Sequence, residues 1–410
     1  MYYLKLFQTE QERQACAETQ EYVSYTEDTD EVNIHYEPFF CKLTLNNDEV
    51  VEIEGSGELT SAMTIQYSAT TVSAEIGNLC TSIGDGAFSN VPEYTGFVLL
   101  TKVNISNSVT SIGNYAFAAC TSLSSIKIPH GVTTIGESAF YWCTSLSNIT
   151  ILNGVTSISE YAFGGCTSLS SITIPNSVIS IGNNAFEICG RLTNITIGSG
   201  VTTIGNKAFQ SCSGLTSVTI GNSVTSIGSS AFTNCTSLSN ITIPNGVTSI
   251  GNYVFAYCSG LTSVTIGNSV TSIGSYAFYD CGRLANITIG SGVTSIGEDA
   301  FLSCTSLSSI TIPNSVISIG NNAFQGCRGL TSVSIGNSVT SIGNGAFSNC
   351  SGLNSITSFA TTAPTITNVT FDGVKTNGTL YVPSGSSGYD TWMKTTNYYL
   401  GKYGWTKVEQ

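Results

Sequence analysis

The chain has 410 residues, of which 41% are hydrophobic and 10% charged, and its formal net charge is −13. The sequence has no basic stretch that would meet a phosphate backbone, so binding to nucleic acid is not expected. No apolar run approaches the roughly 18 residues that a membrane helix needs, so membrane insertion is not expected either.

Most of the negative charge lies in the first 60 residues, which hold 14 Asp and Glu against three Lys and Arg. "YYLKLF" reads as a strand, "TEQERQACAETQEY" as a short helix, and "CKLTLNNDEVVEIEG" as a hairpin that turns at Asn46, Asn47 and Asp48. We expect residues 1–60 to form a small acidic α+β domain, joined to the rest by a strand at "AMTIQY". This domain is either an attachment module or a cap.

Residues 61–357 repeat with a period of 23. Phe117 recurs at every 23rd position up to Phe347, and Phe88 precedes it by one period plus six extra residues, so about twelve units are visible. "NSVISIGNNAF" occurs at 176 and again 138 residues later at 314, which is six periods. A fixed period of this length predicts a solenoid of stacked coils, because one unit is too short to bury its own apolar face.

Each unit contains two apolar segments separated by a turn. In "LSSITI", Leu169, Ile172 and Ile174 follow the spacing of a strand. Turn residues such as "PNS" or "GNS" follow, and then a shorter apolar pair in "SVTSIG". The next residues, "NxAFxxC", would direct Ala, Phe and Cys inward from a single helical or 3₁₀ turn.

The full unit, Leu-x-x-Ile-x-Ile-Pro-x-x-Val-x-x-Ile-Gly-x-x-Ala-Phe-x-x-Cys-x-x, resembles the BspA-like bacterial leucine-rich repeats over roughly residues 80–357. The resemblance implies an α/β leucine-rich repeat solenoid that is rich in strands and has short helical or 3₁₀ turns. It also implies a surface protein of a host-associated bacterium, in a family linked to adhesion.

Eleven of the 14 cysteines form one column with the same period. These are Cys120, Cys143, Cys166, Cys189, Cys212, Cys235, Cys258, Cys281, Cys304, Cys327 and Cys350. Zinc sites place two cysteines close together in sequence, and disulfide frameworks have varied spacings. We therefore interpret the column as buried packing, with no metal or redox role.

Catalysis is not expected. The chain has two histidines, His35 and His130. Asn or Ser fills the slot of His130 in other units, and neither histidine lies near a distinctive acid or nucleophile. No phosphate-binding or dinucleotide-binding motif occurs, so no cofactor is expected. A hydrolase with an unrecognised site around His35 remains the enzymatic alternative.

The first candidate binding surface is the exposed face of the longer strand. One of its columns contains Thr150, Thr173, Thr196, Thr219, Thr242, Thr265, Thr288 and Thr311, beside alternating Ser and Asn. Threonine suits a pleated, half-exposed surface, and this accounts for the column without a ligand. The alternative is a flat hydroxyl lattice that meets a regular surface such as a glycan array or ice.

The second candidate surface lies beside the Ala-Phe pair, where the units differ most. Tyrosine and tryptophan cluster there on consecutive units, and exposed residues of these types are typical binding anchors. The candidate residues are Tyr115, Tyr141, Trp142, Tyr161, Tyr253, Tyr257, Tyr276 and Tyr279. The alternative is sequence drift on a solvated surface.

Residues 358–410 depart from the repeat. "GTLYVPSGSSGYDTWMKTTNYYLGKYGW" reads as a strand, a turn and an aromatic-rich helix, and it resembles the closing segment common in the family. We expect it to cap the solenoid, because an open end is an aggregation-prone edge.

These observations predict a non-catalytic binding protein whose partner is a protein or a glycan, most simply in adhesion at a cell surface. No secretory signal peptide is visible, because "MYYLKLFQTEQERQ" turns polar after seven residues. A phage tail or virion-associated receptor-binding protein is the alternative, and a glycan-binding module that uses the strand face is the second.

Overall fold

The computed structural model describes residues 22–25, 32–35, 39–90 and 95–410. They form a strand-rich solenoid, as the repeat predicts, and it has about 15 turns and almost no helix. No helix in the described ranges has the length and apolar character needed to cross a membrane.

The N-terminal end of the solenoid is built from a hairpin and a short helix. β1 is Tyr22–Tyr25, β2 is Val32–His35, β3 is Cys41–Leu45, β4 is Val50–Ile53, β5 is Gly57–Leu59 and β6 is Thr71–Ile76. β3 pairs antiparallel with β4, which confirms the predicted hairpin, and on its other side antiparallel with β6. The predicted "YYLKLF" strand and the helix after it lie outside the described residues, apart from Tyr22.

The strand predicted at "AMTIQY" is wrong. This stretch contains helix α1 at Ser61–Thr64 and a 3₁₀ helix at Ile65–Tyr67. The reason is its place at the end of the stack, where the fully buried Thr64 hydroxyl donates to the carbonyl of Ala87. A coil that closes an open end satisfies backbone groups that a further strand would otherwise pair.

Two ladders of parallel strands run along the solenoid. The long-strand ladder continues from β6 through β10 (Lys102–Ile105), β12 (Ser125–Ile128), β14 (Asn148–Ile151), β16 (Ser171–Thr173), β18 (Asn194–Thr196), β20 (Ser217–Thr219), β22 (Asn240–Ile243), β24 (Ser263–Ile266), β26 (Asn286–Thr288), β28 (Ser309–Ile312), β30 (Ser332–Ile335) and β32 (Ser355–Ser358). The short-strand ladder contains β5, β7 (Cys80–Ile83), β11 (Ser111–Ile112), β13 (Thr134–Ile135), β15 (Ser157–Ile158), β17 (Ser180–Ile181), β19 (Thr203–Ile204), β21 (Ser226–Ile227), β23 (Ser249–Ile250), β25 (Ser272–Ile273), β27 (Ser295–Ile296), β29 (Ser318–Ile319) and β31 (Ser341–Ile342). A small antiparallel pair, β8 (Ser89–Asn90) and β9 (Thr95–Gly96), flanks the six-residue insertion.

A stack of phenylalanine rings fills the centre. From Phe88 to Phe371, each ring lies 5.0 to 5.8 Å from the ring of the next coil and is nearly parallel to it. The Leu, Ile and Val rows and the cysteine column pack around this stack as one continuous core. Each coil therefore buries its apolar residues mainly against its neighbours, which is the behaviour that the repeat predicts.

The segment at "NxAFxxC" forms turns closed by i→i+3 hydrogen bonds, as from the Cys258 N–H to the Phe255 carbonyl at 3.3 Å, but no helix. In every regular coil the residue two before Phe and the residue two after it have positive φ, for example Tyr253 (58°) and Tyr257 (60°). The amide N–H groups of Tyr253, Phe255 and Tyr257 then donate to carbonyls of the next coil. Hydrogen bonds between coils form in place of a continuous helix, because neighbouring coils have nearly the same sequence and are in register. We call this segment the turn ladder.

The long-strand ladder separates at two prolines and narrows to one residue pair at a third, whereas the short-strand ladder is continuous. β20 and β22 are not paired, β26 and β28 are not paired, and β14 and β16 share one residue pair, Asn148 with Ser171. In each case a proline ends the later strand: Pro175, Pro244 or Pro313, spaced 69 residues or three coils apart. Proline has no amide N–H to donate to the preceding coil. At the equivalent position of an unbroken coil, the Gly267 N–H donates to the Ile243 carbonyl at 2.9 Å.

The C-terminal segment adds two strands to the long-strand ladder. β33 (Thr379–Val382) is the predicted strand and pairs with β32, and β34 (Thr406–Glu409) pairs with β33. The predicted single helix is wrong: two 3₁₀ helices, Tyr389–Thr391 and Leu400–Tyr403, stand in its place. Trp392 ends the phenylalanine stack, 5.2 Å from Phe371, and donates its indole N–H to the Pro364 carbonyl. The domain boundaries at 60/61 and 357/358 stay predictions.

Candidate functional site

The column cysteines are buried, as predicted, and each has a specific hydrogen-bond acceptor. The Cys143 thiol donates to the Phe117 carbonyl of the preceding coil at 3.1 Å, and the same bond recurs in every coil through Cys350 and Phe324. All 13 described cysteines are free thiols. Cys120 is therefore part of the core, and its thiol supplies a donor that a methyl group would lack. The sequence alone did not reveal this donor.

Burial also keeps these thiols protonated. It raises the pKa of Cys120 to about 12 and that of Cys143 well above its ordinary value. The desolvation of a thiolate in an apolar interior is the main cause. Since the thiolate is the nucleophile and the metal ligand, the column is chemically inert near neutral pH.

The histidines and acids of the described ranges do not assemble a reaction centre. Within those ranges no group of three or more His, Cys, Asp or Glu side chains is placed to hold a metal ion. His130 is exposed, and its Nδ1 lies 3.4 Å from the Asn153 carbonyl of the next coil, so it occupies a turn. The side chain of His35 lies outside the described part of the chain.

The strand face is flat and hydroxylated. Thr150, Thr173, Thr196, Thr219, Thr242, Thr265, Thr288 and Thr311 are all exposed. They lie between buried residues such as Ile172 and Ile174 on the same strands. A shallow groove lined by Asn148, Thr150, Ser171 and Thr173 lies where the long-strand ladder narrows at Pro175.

The structure brings Tyr141, Trp142 and Tyr161 together on the turn ladder, and we call them cluster 1. The Tyr141 ring lies 6.0 Å from Trp142 and 5.6 Å from Tyr161, both edge to face. Trp142 covers Gly165: a Cβ on that glycine would lie 2.9 Å from the indole. Glycine therefore makes room for the aromatic ring of the preceding coil, a signal that the sequence analysis missed.

Tyr115 lies one coil before cluster 1. Its hydroxyl is 3.3 Å from Oε1 of Glu137 and donates to that carboxylate. This bond holds the phenol against the charged edge of the turn ladder.

The other four candidates form cluster 2: Tyr253, Tyr257, Tyr276 and Tyr279. Tyr253 and Tyr276 stack face to face at 4.6 Å, and Tyr257 and Tyr279 meet edge to face at 5.0 Å. Tyr257 is 45% exposed and Trp142 of cluster 1 is 41% exposed, so each cluster presents an accessible aromatic surface.

Six of the eight candidate aromatic residues have a backbone conformation that is costly for a bulky side chain. The six are Tyr115, Trp142, Tyr161, Tyr253, Tyr257 and Tyr276, with φ between 52° and 60°. Other coils place glycine or asparagine in the same slots, for example Gly326 and Asn322. A left-handed conformation costs a residue with a Cβ about 1–2 kcal/mol. Such strain persists where the surrounding structure fixes the backbone, as the hydrogen bonds to the next coil do here.

Carboxylates shape the electrostatics of both clusters. Burial, followed by the charges of Glu187, Glu160 and Glu137, raises the pKa of Tyr161. In cluster 2, the hydrogen bond from the Tyr276 hydroxyl to the Asp299 carboxylate raises the pKa of Tyr276 to about 12. Both aromatic clusters therefore lie in a negative local field.

Comparison with known proteins identifies the repeat. The family model described as "BspA type Leucine rich repeat region" matches six copies over residues 81–216, 179–307 and 271–390. Among curated proteins, none matches the sequence.

Several solved structures are similar to this chain. A leucine-rich repeat protein from Bacteroides ovatus is 24% identical with a TM-score of 0.65, and the match covers 95% of this chain and 98% of that one. A leucine-rich cell surface protein from Faecalibacterium prausnitzii is 36% identical over 68% of this chain and 83% of its own, with a TM-score of 0.44. The pneumococcal vaccine antigen PcpA is 18% identical over 90% and 86%, with a TM-score of 0.49.

Proposed function

Because the chain belongs to the family of BspA-type leucine-rich repeat proteins, we propose that it is a non-catalytic binding protein that recognises a ligand in adhesion at a bacterial cell surface. The ligand is a protein or a glycan. The turn ladder is its main contact surface, through cluster 1, cluster 2 and Tyr115.

The observation that carries this proposal is the strained backbone under exposed aromatic rings. Trp142 and Tyr257 occupy the same slot five coils apart, and both have positive φ. Glycine, which stands there at 165 and 326, would relieve the strain. Exposed Tyr and Trp side chains are common anchors of protein interfaces. Retention of large rings at a cost in stability supports a role in recognition.

The test replaces the rings with asparagine, the residue that tolerates this conformation best after glycine. We expect Trp142→Asn with Tyr257→Asn to keep the melting temperature within a few degrees, since relief of strain offsets the lost ring contacts. We expect the same variant to lose at least tenfold in affinity in a screen of immobilised extracellular-matrix proteins and an array of glycans.

The matched control removes exposed apolar side chains elsewhere. Ile179 and Ile317 are 57% and 51% exposed, in a slot that holds Thr in most other coils. Ile179→Thr with Ile317→Thr should leave binding unchanged. If the ring variant binds every ligand found by the screen as tightly as the parent does, the turn ladder is excluded as the contact surface.

A glycan-binding strand face is the second candidate, and the exposed threonine column favours it. Thr196→Lys with Thr242→Lys would place bulky charges on that face while leaving the turn ladder intact. Loss of glycan binding in this variant, with binding retained in the ring variant, would assign recognition to the strand face. A virion-attached receptor-binding protein would use the same surfaces, and fractionation of cells and particles distinguishes it.

A further inference from the structure

The acidic residues of the array are concentrated at the two aromatic clusters. Between residues 120 and 350 the sequence contains six Asp and Glu residues, and residues 188–279 contain none. Three lie in the coils of cluster 1 or in the next coil, and three lie in the coils of cluster 2 or in the next coil: Glu137, Glu160, Glu187, Asp280, Glu298 and Asp299. An even scatter over ten coils would not produce this distribution.

Neutral groups, not cations, contact these carboxylates. Asn184 Nδ2 donates to Glu187 at 2.7 Å, and the Tyr115 hydroxyl donates to Glu137. The ion pairs found in the described ranges involve Lys42 and Lys407, which lie outside the array. The negative electrostatic field of the carboxylates at each cluster therefore remains available to a cationic partner.

Aromatic faces beside carboxylates recognise cations. A Lys ammonium or Arg guanidinium over a Tyr or Trp ring is attracted to the negative face of the ring, and a neighbouring carboxylate adds a charge-assisted hydrogen bond. Arginine satisfies both contacts at once, since its planar group stacks on rings and also binds carboxylates through two hydrogen bonds.

The two clusters are in register with each other. Trp142 and Tyr257 are 115 residues apart, as are Tyr161 and Tyr276, which equals five coils. At about 4.8 Å per coil the clusters are about 24 Å apart. A small cation reaches one cluster only, whereas an extended peptide spans this distance with about seven residues.

We propose that cluster 1 and cluster 2, each with its carboxylates, form a paired site for a basic segment of a partner protein that carries Lys or Arg side chains about 24 Å apart. This inference rests on the proposed function, because it names the partner chemistry of the same turn ladder.

The test uses synthetic peptides and a signal from the protein itself. Of the three tryptophans, Trp392 and Trp405 are 0% and 4% exposed, so a ligand at the turn ladder changes the fluorescence of Trp142 selectively. The first probe is a Gly/Ser peptide with two Arg-Arg pairs about seven residues apart. The second has one pair, and the third has Gln in place of every Arg.

We expect the two-pair peptide to bind at least tenfold more tightly than the one-pair peptide, because the second contact is intramolecular. The Gln peptide should not bind. Raising the salt from about 50 mM to about 500 mM should weaken the two-pair complex. Equal affinity for the one-pair and two-pair peptides, or binding of the Gln peptide, would overturn the proposal.

Charge-neutralising variants complete the test. The double variant Glu298→Gln with Asp280→Asn should bind the two-pair peptide only as tightly as the parent protein binds the one-pair peptide. The matched control, Asp390→Asn with Glu409→Gln, removes the same charge from the C-terminal segment and should change nothing. If the control variant binds the two-pair peptide as weakly as the cluster variant does, net charge alone attracts the peptide, and the paired site is rejected.

The two proposals fail separately. Suppose that the ring variant loses the ligand found by the matrix and glycan screen, while the carboxylate variant keeps it. Then the turn ladder binds its ligand without recognising cations, and only the present inference is wrong.

Discussion

At the residue scale, positive φ decides which side chains the turn ladder accepts. Ile188 is the extreme case: a β-branched residue with φ of 62° whose side chain is 41% exposed. A large side chain is not needed for packing at this position, since Gly326 fills the same slot six coils later. The strained conformation of Ile188 therefore costs free energy that the burial of its side chain offsets only in part.

We expect Ile188→Gly to raise the free energy of unfolding by about 1 kcal/mol, because glycine adopts this conformation without a Cβ clash. Urea unfolding followed by circular dichroism measures the change. The reciprocal variant, Gly326→Ile, should lower stability by a similar amount. If both variants destabilise the protein equally, strain at this slot is not the cause.

At the scale of the element, one backbone N–H strengthens the pairing of two long strands. Coils with glycine after the last Ile keep that donor, as Gly267 does toward Ile243. Coils with proline in this slot lose it, and the long-strand ladder divides into panels at Pro244 and Pro313, while one residue pair remains at Pro175 and two remain at Pro129. The short-strand ladder has no proline and remains continuous, so it holds the panels together.

Gly267→Pro should therefore weaken the pairing of β22 and β24. Loss of the bond to the Ile243 carbonyl costs about 1 kcal/mol, and amides of Ser263–Ile266 should exchange hydrogen faster. Hydrogen–deuterium exchange with mass spectrometry measures this.

Gly267→Ala is the control for the proline variant. It adds a Cβ 2.8 Å from the Ile243 carbonyl oxygen but keeps the N–H. It should cost stability while changing exchange in β24 less than proline does. Identical exchange in the two variants would show that crowding, and not the missing donor, separates the strands.

At the scale of the whole molecule, the cysteine column makes the free energy of unfolding fall at alkaline pH. A free thiol has a pKa near 9.0, whereas burial raises the pKa of Cys258 and Cys327 to about 12. Below pH 9 both states are protonated and the stability is fully present. Above it the unfolded chain releases protons that the folded chain retains, so stability is lost as the pH rises toward 12.

We expect the free energy of unfolding to fall between about pH 9 and 11, by up to about 1.4 kcal/mol per pH unit for each column thiol that is exposed on unfolding. Urea unfolding at several pH values measures the slope. Cys212→Ala with Cys235→Ala removes two thiols and should reduce the slope, whatever it does to stability at neutral pH. An unchanged slope would contradict the prediction.

Several features were accessible from the sequence because they repeat. The solenoid, the buried Cys120 and the hairpin before the array follow from periodicity and turn residues, and the structure confirms them. The strand at "AMTIQY" and the C-terminal helix are wrong, and "NxAFxxC" forms i→i+3 turns without a helix, for one reason. Each was inferred from local spacing, whereas contacts with the neighbouring coil decide the conformation.

The sequence by itself determined which side chains face inward, because a row of identical residues at a fixed period packs only against its own copies. Tertiary structure alone decided the left-handed turn residues, the pairing of each thiol with a Phe carbonyl, the panels of the long-strand ladder and the assembly of two aromatic clusters. All of these depend on hydrogen bonds or ring contacts between residues about 23 positions apart, and a window along one coil does not contain both partners.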